Sequence, residues 1–160
     1  THVWGEPVAV GWNGITVHYY FGKFVGALPD GRKAWEPTGD GALSAFRGTD
    51  KKGPTAVIRS AAKVDSIKGQ CTLLNLKFHP ASLQGRDGLR KLVALVKTYF
   101  DLYGYHLQFN MLNRETLLQA KKHPEKFRDL IVRVAGFSAF FVELAPEVQD
   151  EIIARTEHSF

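Results

Sequence analysis

The chain has 160 residues, 44% apolar and 23% charged, enough for one buried core and too apolar for a long disordered tail. Its net charge of +5 comes from 21 Lys and Arg spread along the chain rather than gathered in one block, so nucleic acid is not an expected partner even though Tyr and Phe can stack on bases. No stretch approaches the roughly 18 apolar residues of a membrane span, so no membrane partner is expected, and with no secretory leader and one cysteine, Cys71, the composition points to a cytoplasmic protein without disulfides or a zinc site.

The first residues, Thr1-His2-Val3-Trp4, enter an apolar run with neither Met nor a cap, which suggests processing or a piece of something larger. Residues 1–48 are rich in Gly, Trp and other aromatics and read as short strands and ordered loops, with residues 15–21 (ITVHYYF) the best strand candidate. Residues 27–37 are turn chemistry, because Pro29-Asp30-Gly31 supplies a fixed φ, a side-chain acceptor and a permissive glycine. A helix is predicted from Pro54, with Ala56, Val57 and Ala61 on one face, ending near Val64. Residues 71–78 (CTLLNLKF) read as one strand buried on both faces.

Asp87 is placed to cap a helix that runs to Tyr103, with Leu89, Leu92, Val93, Val96, Tyr99 and Phe100 as its stripe and Gly104 as its stop. Residues 105–112 alternate as a strand, Asn113 caps a helix over 114–121, and Pro124 opens one more helical turn. Residues 130–135 form a β-branched strand that ends at Gly136, before the aromatic run Phe137, Phe140 and Phe141. A last helix starts at Pro146, turns Val148, Ile152 and Ile153 inward and gathers Glu147, Asp150 and Glu151 near its positive end. Helices and strands alternate without a repeat, which predicts one continuous α/β unit. His18, His79 and His106 are too scattered for a metal site, and Asn75 and Gln108 need partners if their strands are buried.

The segment Arg133-Val134-Ala135-Gly136-Phe137-Ser138-Ala139 closely resembles the radical-bearing loop of the glycyl radical enzymes, the pyruvate formate-lyase-like superfamily. Upstream, Gln108-Phe109-Asn110, Thr116-Leu117-Leu118, His123-Pro124-Glu125-Lys126 and Asp129-Leu130-Ile131-Val132 resemble the approach to that loop. Downstream, Gln149-Asp150-Glu151-Ile152-Ile153 and Arg155-Thr156-Glu157 resemble the family's C-terminal helix. Leu28-Pro29-Asp30-Gly31-Arg32-Lys33-Ala34, Gly48-Thr49-Asp50 and Thr72-Leu73-Leu74-Asn75 are similar to stretches of its dehydratase and decarboxylase branch, so the resemblance runs from about residue 22 to the end.

The resemblance implies a fold and a chemistry. The fold is the C-terminal portion of a ten-stranded α/β barrel with the glycyl radical loop and a C-terminal helix, residues 1–104 belonging to the barrel body and 105–160 to the glycyl radical domain. Gly136 is the implied radical carrier, supported by Arg133, Val134, Ala135, Phe137 and Ser138. Glycine suits that role, because a Cα radical is stabilised when the carbon is planar and conjugated with the amides on either side, and a side chain obstructs the flattening. The radical is itself the cofactor. No metal or small cofactor is implied in this chain, since S-adenosylmethionine and an iron–sulfur cluster belong to a separate activating enzyme. The other implied partners are the rest of the barrel or a large subunit carrying a thiyl cysteine, and a small organic substrate. Cys71 lies within a barrel-strand run and reads as a small buried residue rather than that thiyl.

The implied activity is that of a lyase, such as a dehydratase or decarboxylase, working through a glycyl-to-thiyl relay and inactive without the rest of the barrel. Two alternatives stand beside it: addition to fumarate of the alkyl- or arylalkylsuccinate synthase type, and a spare-part protein that repairs a larger radical enzyme.

Overall fold

The computed structural model describes residues 4–5, 10–12, 14 and 16–160, with the backbone alone for Val10, Trp12, Gln70 and Cys71. The reading of Cys71 as buried therefore lies outside the described residues. Strands and helices alternate, giving the mixed α/β class expected. β1 (Val10–Trp12) is followed by α1 (Val17–Gly22), where the sequence predicts a strand over 15–21. Tertiary packing decides this correction. His18 and Gly22, one helical turn apart, are the inward residues, and Gly22 lies so close to the Glu36 backbone that a Cβ does not fit.

α2 (Pro54–Ala61) begins where predicted and buries Val57, Ile58 and Ala61, although it ends before Val64. The single strand expected over 71–78 is broken into β2 (Gly69–Thr72) and β3 (Asn75–Phe78). The break is caused by a neighbouring loop. Gly41 and Ala42 take φ of 66° and 77°, and the Leu73 carbonyl accepts the Leu43 N–H at 3.2 Å instead of continuing one ladder. Every residue of β3 is buried, as a strand covered on both faces requires.

α3 (Gly85–Asp101) has Gln84 at its N-cap, so Asp87 is not the cap; it lies in the first turn, where its carboxylate meets Lys91 at 3.0 Å. The predicted stripe is also divided. Leu95 and Tyr99 face the core, whereas Leu89, Val93 and Phe100 are exposed. The helix ends at Asp101, two residues short of the predicted Tyr103, which takes φ 64°; Gly104 is needed for a different reason, its missing Cβ making room for the Tyr99 ring.

β4 (Gln108–Asn110) runs parallel to β3, so β3, α3 and β4 form a strand–helix–strand unit. α4 (Arg114–Lys122) is capped as predicted, Asn113 Oδ1 accepting the Thr116 N–H at 2.8 Å. β5 (Ile131–Arg133) pairs antiparallel with β6 (Ser138–Phe140), a strand hidden in the aromatic run. α5 (Pro146–Ala154) starts at the predicted Pro, and β7 (Glu157–His158) returns to the free edge of β3, giving the strand order β4-β3-β7.

Two apolar clusters stabilise these elements. One joins α2, β3 and α3 around Ile58, Leu74, Phe78 and Tyr99; the other joins α4, the β5–β6 hairpin and α5 around Leu117, Val132, Val134, Phe141 and Ile152. Among the described residues no helix is long and apolar enough to cross a membrane.

Candidate functional site

The β5–β6 hairpin places Arg133 opposite Ser138, leaving residues 134–137 to close its end. Val134 N–H donates to the Phe137 carbonyl at 2.9 Å, so Ala135 and Gly136 form the tip. Val134 and Ala135 are fully buried and anchor it, while Gly136 is exposed. Gly136 takes φ 78°, the left-handed region that a side chain disfavours, and a Cβ there would stand 3.3 Å from Leu73 Cδ1. The tip therefore presents a bare backbone.

Arg133 braces this tip with its whole guanidinium. Nη2 donates to the Gly136 carbonyl at 3.1 Å, Nη1 donates to Ser138 Oγ at 3.2 Å, and Nε donates to Gln108 Oε1. The planar fork suits three partners held in fixed directions. Its backbone is gripped as well. Asn110 Oδ1 accepts the Arg133 N–H at 2.7 Å and Asn110 Nδ2 donates to the Arg133 carbonyl at 2.6 Å, so one amide side chain stands in for a neighbouring strand. Because Gln108 and Asn110 share one face of β4, the β4-β3-β7 sheet grips the hairpin through two amides.

A buried charge network underlies the hairpin. Arg155 donates to Glu151 Oε1 and Oε2 at 3.1 and 2.8 Å, faces Asp40 at 3.3 Å, and reaches the Arg133 carbonyl, also at 3.3 Å. Burial opposes ionisation of Glu151, but Arg155 outweighs it and, with His18 3.5 Å away, brings the carboxyl down to about 2. Asp40 goes the other way. Its complete burial outweighs the pull of Arg155, and the Glu151 charge adds to the rise. Beside them, a cavity of about 30 Å³ is lined by Asp40, Asn75, Lys77, Glu151, Arg155 and His158, room enough for a water molecule. Lys77 lies buried there, its ammonium donating to the Ile153 carbonyl at 3.3 Å and its pKa lowered by burial.

The structure thus brings together Arg133, Gly136 and Ser138 from the predicted set, with Val134 and Ala135 as the buried root. Phe137 and Phe140 are exposed, and of the aromatic run Phe141 alone is fully buried. The roles of Asn110, Glu151, Arg155 and Asp40 escaped the sequence reading. Two signals were present: amides alternating about Phe109 on one strand face, and a Glu four residues before an Arg on a helix. The histidines are engaged separately, His158 with Asp50 at 3.2 Å and His79 with the Ala81 N–H at 3.2 Å. Among the described residues no cluster of His, Cys, Asp and Glu is placed to hold a metal ion.

The family profile described as glycine radical matches residues 40–142, well over half of the sequence and including the whole hairpin. The chain belongs to the glycine radical family. This glycine radical protein is 49% identical to isethionate sulfite-lyase of Oleidesulfovibrio alaskensis over 147 residues, covering 90% of this chain and 18% of that protein. It is 49% identical to trans-4-hydroxy-L-proline dehydratase of Clostridioides difficile over 145 residues, 91% of this chain and 18% of that protein. Its fold matches the glycerol-bound B12-independent glycerol dehydratase of Clostridium butyricum with a TM-score of 0.93 at 46% identity, over 100% of this chain and 20% of that one. The glycine radical protein therefore spans about a fifth of the length of these relatives, which are lyases and dehydratases.

Proposed function

We propose that this chain is the radical-storing part of a glycyl radical lyase and that Gly136 carries the unpaired electron. The observation that carries this reading is the position of Gly136: an exposed backbone at a hairpin tip, at φ 78°, inside the segment matched to the glycine radical family. An activating enzyme using S-adenosylmethionine and an iron–sulfur cluster removes one hydrogen atom from the Gly136 Cα. The spin left there is shared with the flanking amides until a cysteine from the rest of the barrel gives up its thiol hydrogen, and the thiyl then abstracts hydrogen from a small organic substrate. Arg133 and Ser138 hold the tip, while Val134 and Ala135 root it. The kinship with lyases and dehydratases supports bond cleavage as the overall reaction.

The division at residue 105 is part of the same reading. The first apolar cluster draws its buried members from 57–99 and the second from 117–153, which supports a barrel-body part followed by a radical domain. A lone chain has no thiyl partner, so turnover requires the remaining barrel, in a cytoplasmic, anaerobic setting.

The experiment is anaerobic activation of the complete enzyme with glycine labelled with 13C at Cα. Paramagnetic resonance is expected to give a carbon-centred signal that the label broadens and that Gly136→Ala abolishes. A signal that survives in Gly136→Ala, or that ignores the label, overturns the assignment.

A further inference from the structure

We propose that the Arg133 guanidinium tunes the radical as well as bracing the loop, stabilising negative charge on the Gly136 carbonyl oxygen it hydrogen-bonds and so shifting unpaired spin from the Gly136 Cα towards its amide nitrogen. This deepens the reading of Gly136 as radical carrier and rests on it. A glycyl radical is delocalised between the amide nitrogen, which donates, and the carbonyl, which accepts, so whatever stabilises negative charge on that oxygen favours delocalisation. Arg133 Nη2 stands 3.1 Å from the Gly136 oxygen. Charge-assisted donors are roughly twice as strong as neutral ones, and a donor already aimed needs no reorganisation when charge develops.

Three features show that the charge is available and fixed. The side-chain partners of Arg133 among the described residues, Gln108, Ser138 and the Gly136 carbonyl, are all neutral, so no carboxylate offsets it. Its orientation is determined from both ends, Gln108 holding Nε and Asn110 holding the backbone. The field also reaches His106, whose pKa is lowered by burial and then by Arg133. An arginine serving to close the hairpin needs only the Ser138 contact. The contact to the Gly136 oxygen, with no carboxylate paired to the guanidinium among the described residues, is what an electronic role requires.

The test reads spin density directly. In the activated complete enzyme, Arg133→Met is expected to enlarge the splitting from the Gly136 α-proton, because more spin remains on Cα. Arg133→Lys, which keeps the charge but loses the planar fork, is expected to fall between Met and wild type. A purely structural brace leaves the splitting of whatever radical forms unchanged, and equal splittings in all three proteins overturn the proposal. Where the variants form no radical, the wild-type enzyme decides. Electron–nuclear double resonance is expected to show coupling to 15N-labelled arginine and to a proton lost in heavy water, and absence of both overturns the proposal. A wild-type signal unmoved by 13C-glycine overturns the Gly136 reading itself, a result distinct from a labelled signal that ignores Arg133.

Discussion

Leu73 and Gly136, far apart in sequence, meet so closely that a Cβ on the glycine would stand 3.3 Å from Leu73 Cδ1. The contact matters because Leu73 lies at the break between β2 and β3, where the loop at Gly41 and Ala42 presses on its carbonyl. The hairpin tip is thus seated against an irregular point of the sheet rather than a regular ladder.

Gly136→Ala is expected to destabilise the chain by roughly 1–2 kcal/mol, the cost of holding a side-chain residue in the left-handed region. The 3.3 Å contact is tight but faces a flexible methyl, so φ dominates and Leu73→Ala restores little of the loss. Urea unfolding of the single and double variants measures both effects.

Asn110→Leu removes two hydrogen bonds from the part-buried backbone of Arg133, taking the acceptor from its N–H and leaving its C=O with the 3.3 Å contact from Arg155. A loss of roughly 1–3 kcal/mol is expected. Amide exchange at Arg133 separates this from general loosening: its protection falls while that of α3 is retained.

Glu151 gives the chain a pH dependence of known sign. Its folded pKa of about 2 lies below the reference value of 4.5, so its stabilisation is present above pH 4.5 and lost as pH falls towards 2. Asp40, raised, has the opposite slope, which makes the difference between wild type and Glu151→Gln the informative quantity. At pH 7 the variant is expected to be less stable by roughly 3–5 kcal/mol, since the buried Arg155 loses a partner. The gap narrows from pH 4.5 to 2, and a series of unfolding curves across that range checks it.

Asn113→Ala tests a feature legible from sequence. Losing the 2.8 Å bond to the Thr116 N–H is expected to cost about 1 kcal/mol, read from the unfolding midpoint.

Air provides a chemical test of the proposed radical. Exposure of the activated enzyme is expected to cut the backbone at Gly136 and release a piece containing α5 and β7. An intact mass after full loss of the resonance signal counts against Gly136 as the carrier.

Local chemistry made much of the molecule readable. Pro54, Asn113, Pro124 and Pro146 begin helical turns where they stand, because a fixed φ or a capping oxygen acts on its own neighbours. Gly136 is singled out by the resemblance of residues 133–139 to the radical-bearing loop, and its missing Cβ explains only why a glycine suits that position. The assignment to the α/β class likewise followed from alternating periods along the chain.

Contacts between distant segments decided the rest. Residues 15–21 have the alternation of a strand, yet the nearness of Gly22 to the Glu36 backbone turns their described part into a helix. Residues 71–78 have the apolar content of one strand, yet the loop at Gly41 divides it. α3 is apolar on more than one side, so periodicity could not say that Leu95 and Tyr99 face inward while Val93 does not. The grip of Asn110 on Arg133 and the pairing of Arg155 with Asp40 depend on which strands and loops lie side by side. Sequence determines what each residue can offer locally; the partner that accepts the offer is fixed by packing, because hydrogen bonds and buried charges act over a few ångströms of space whatever the separation along the chain.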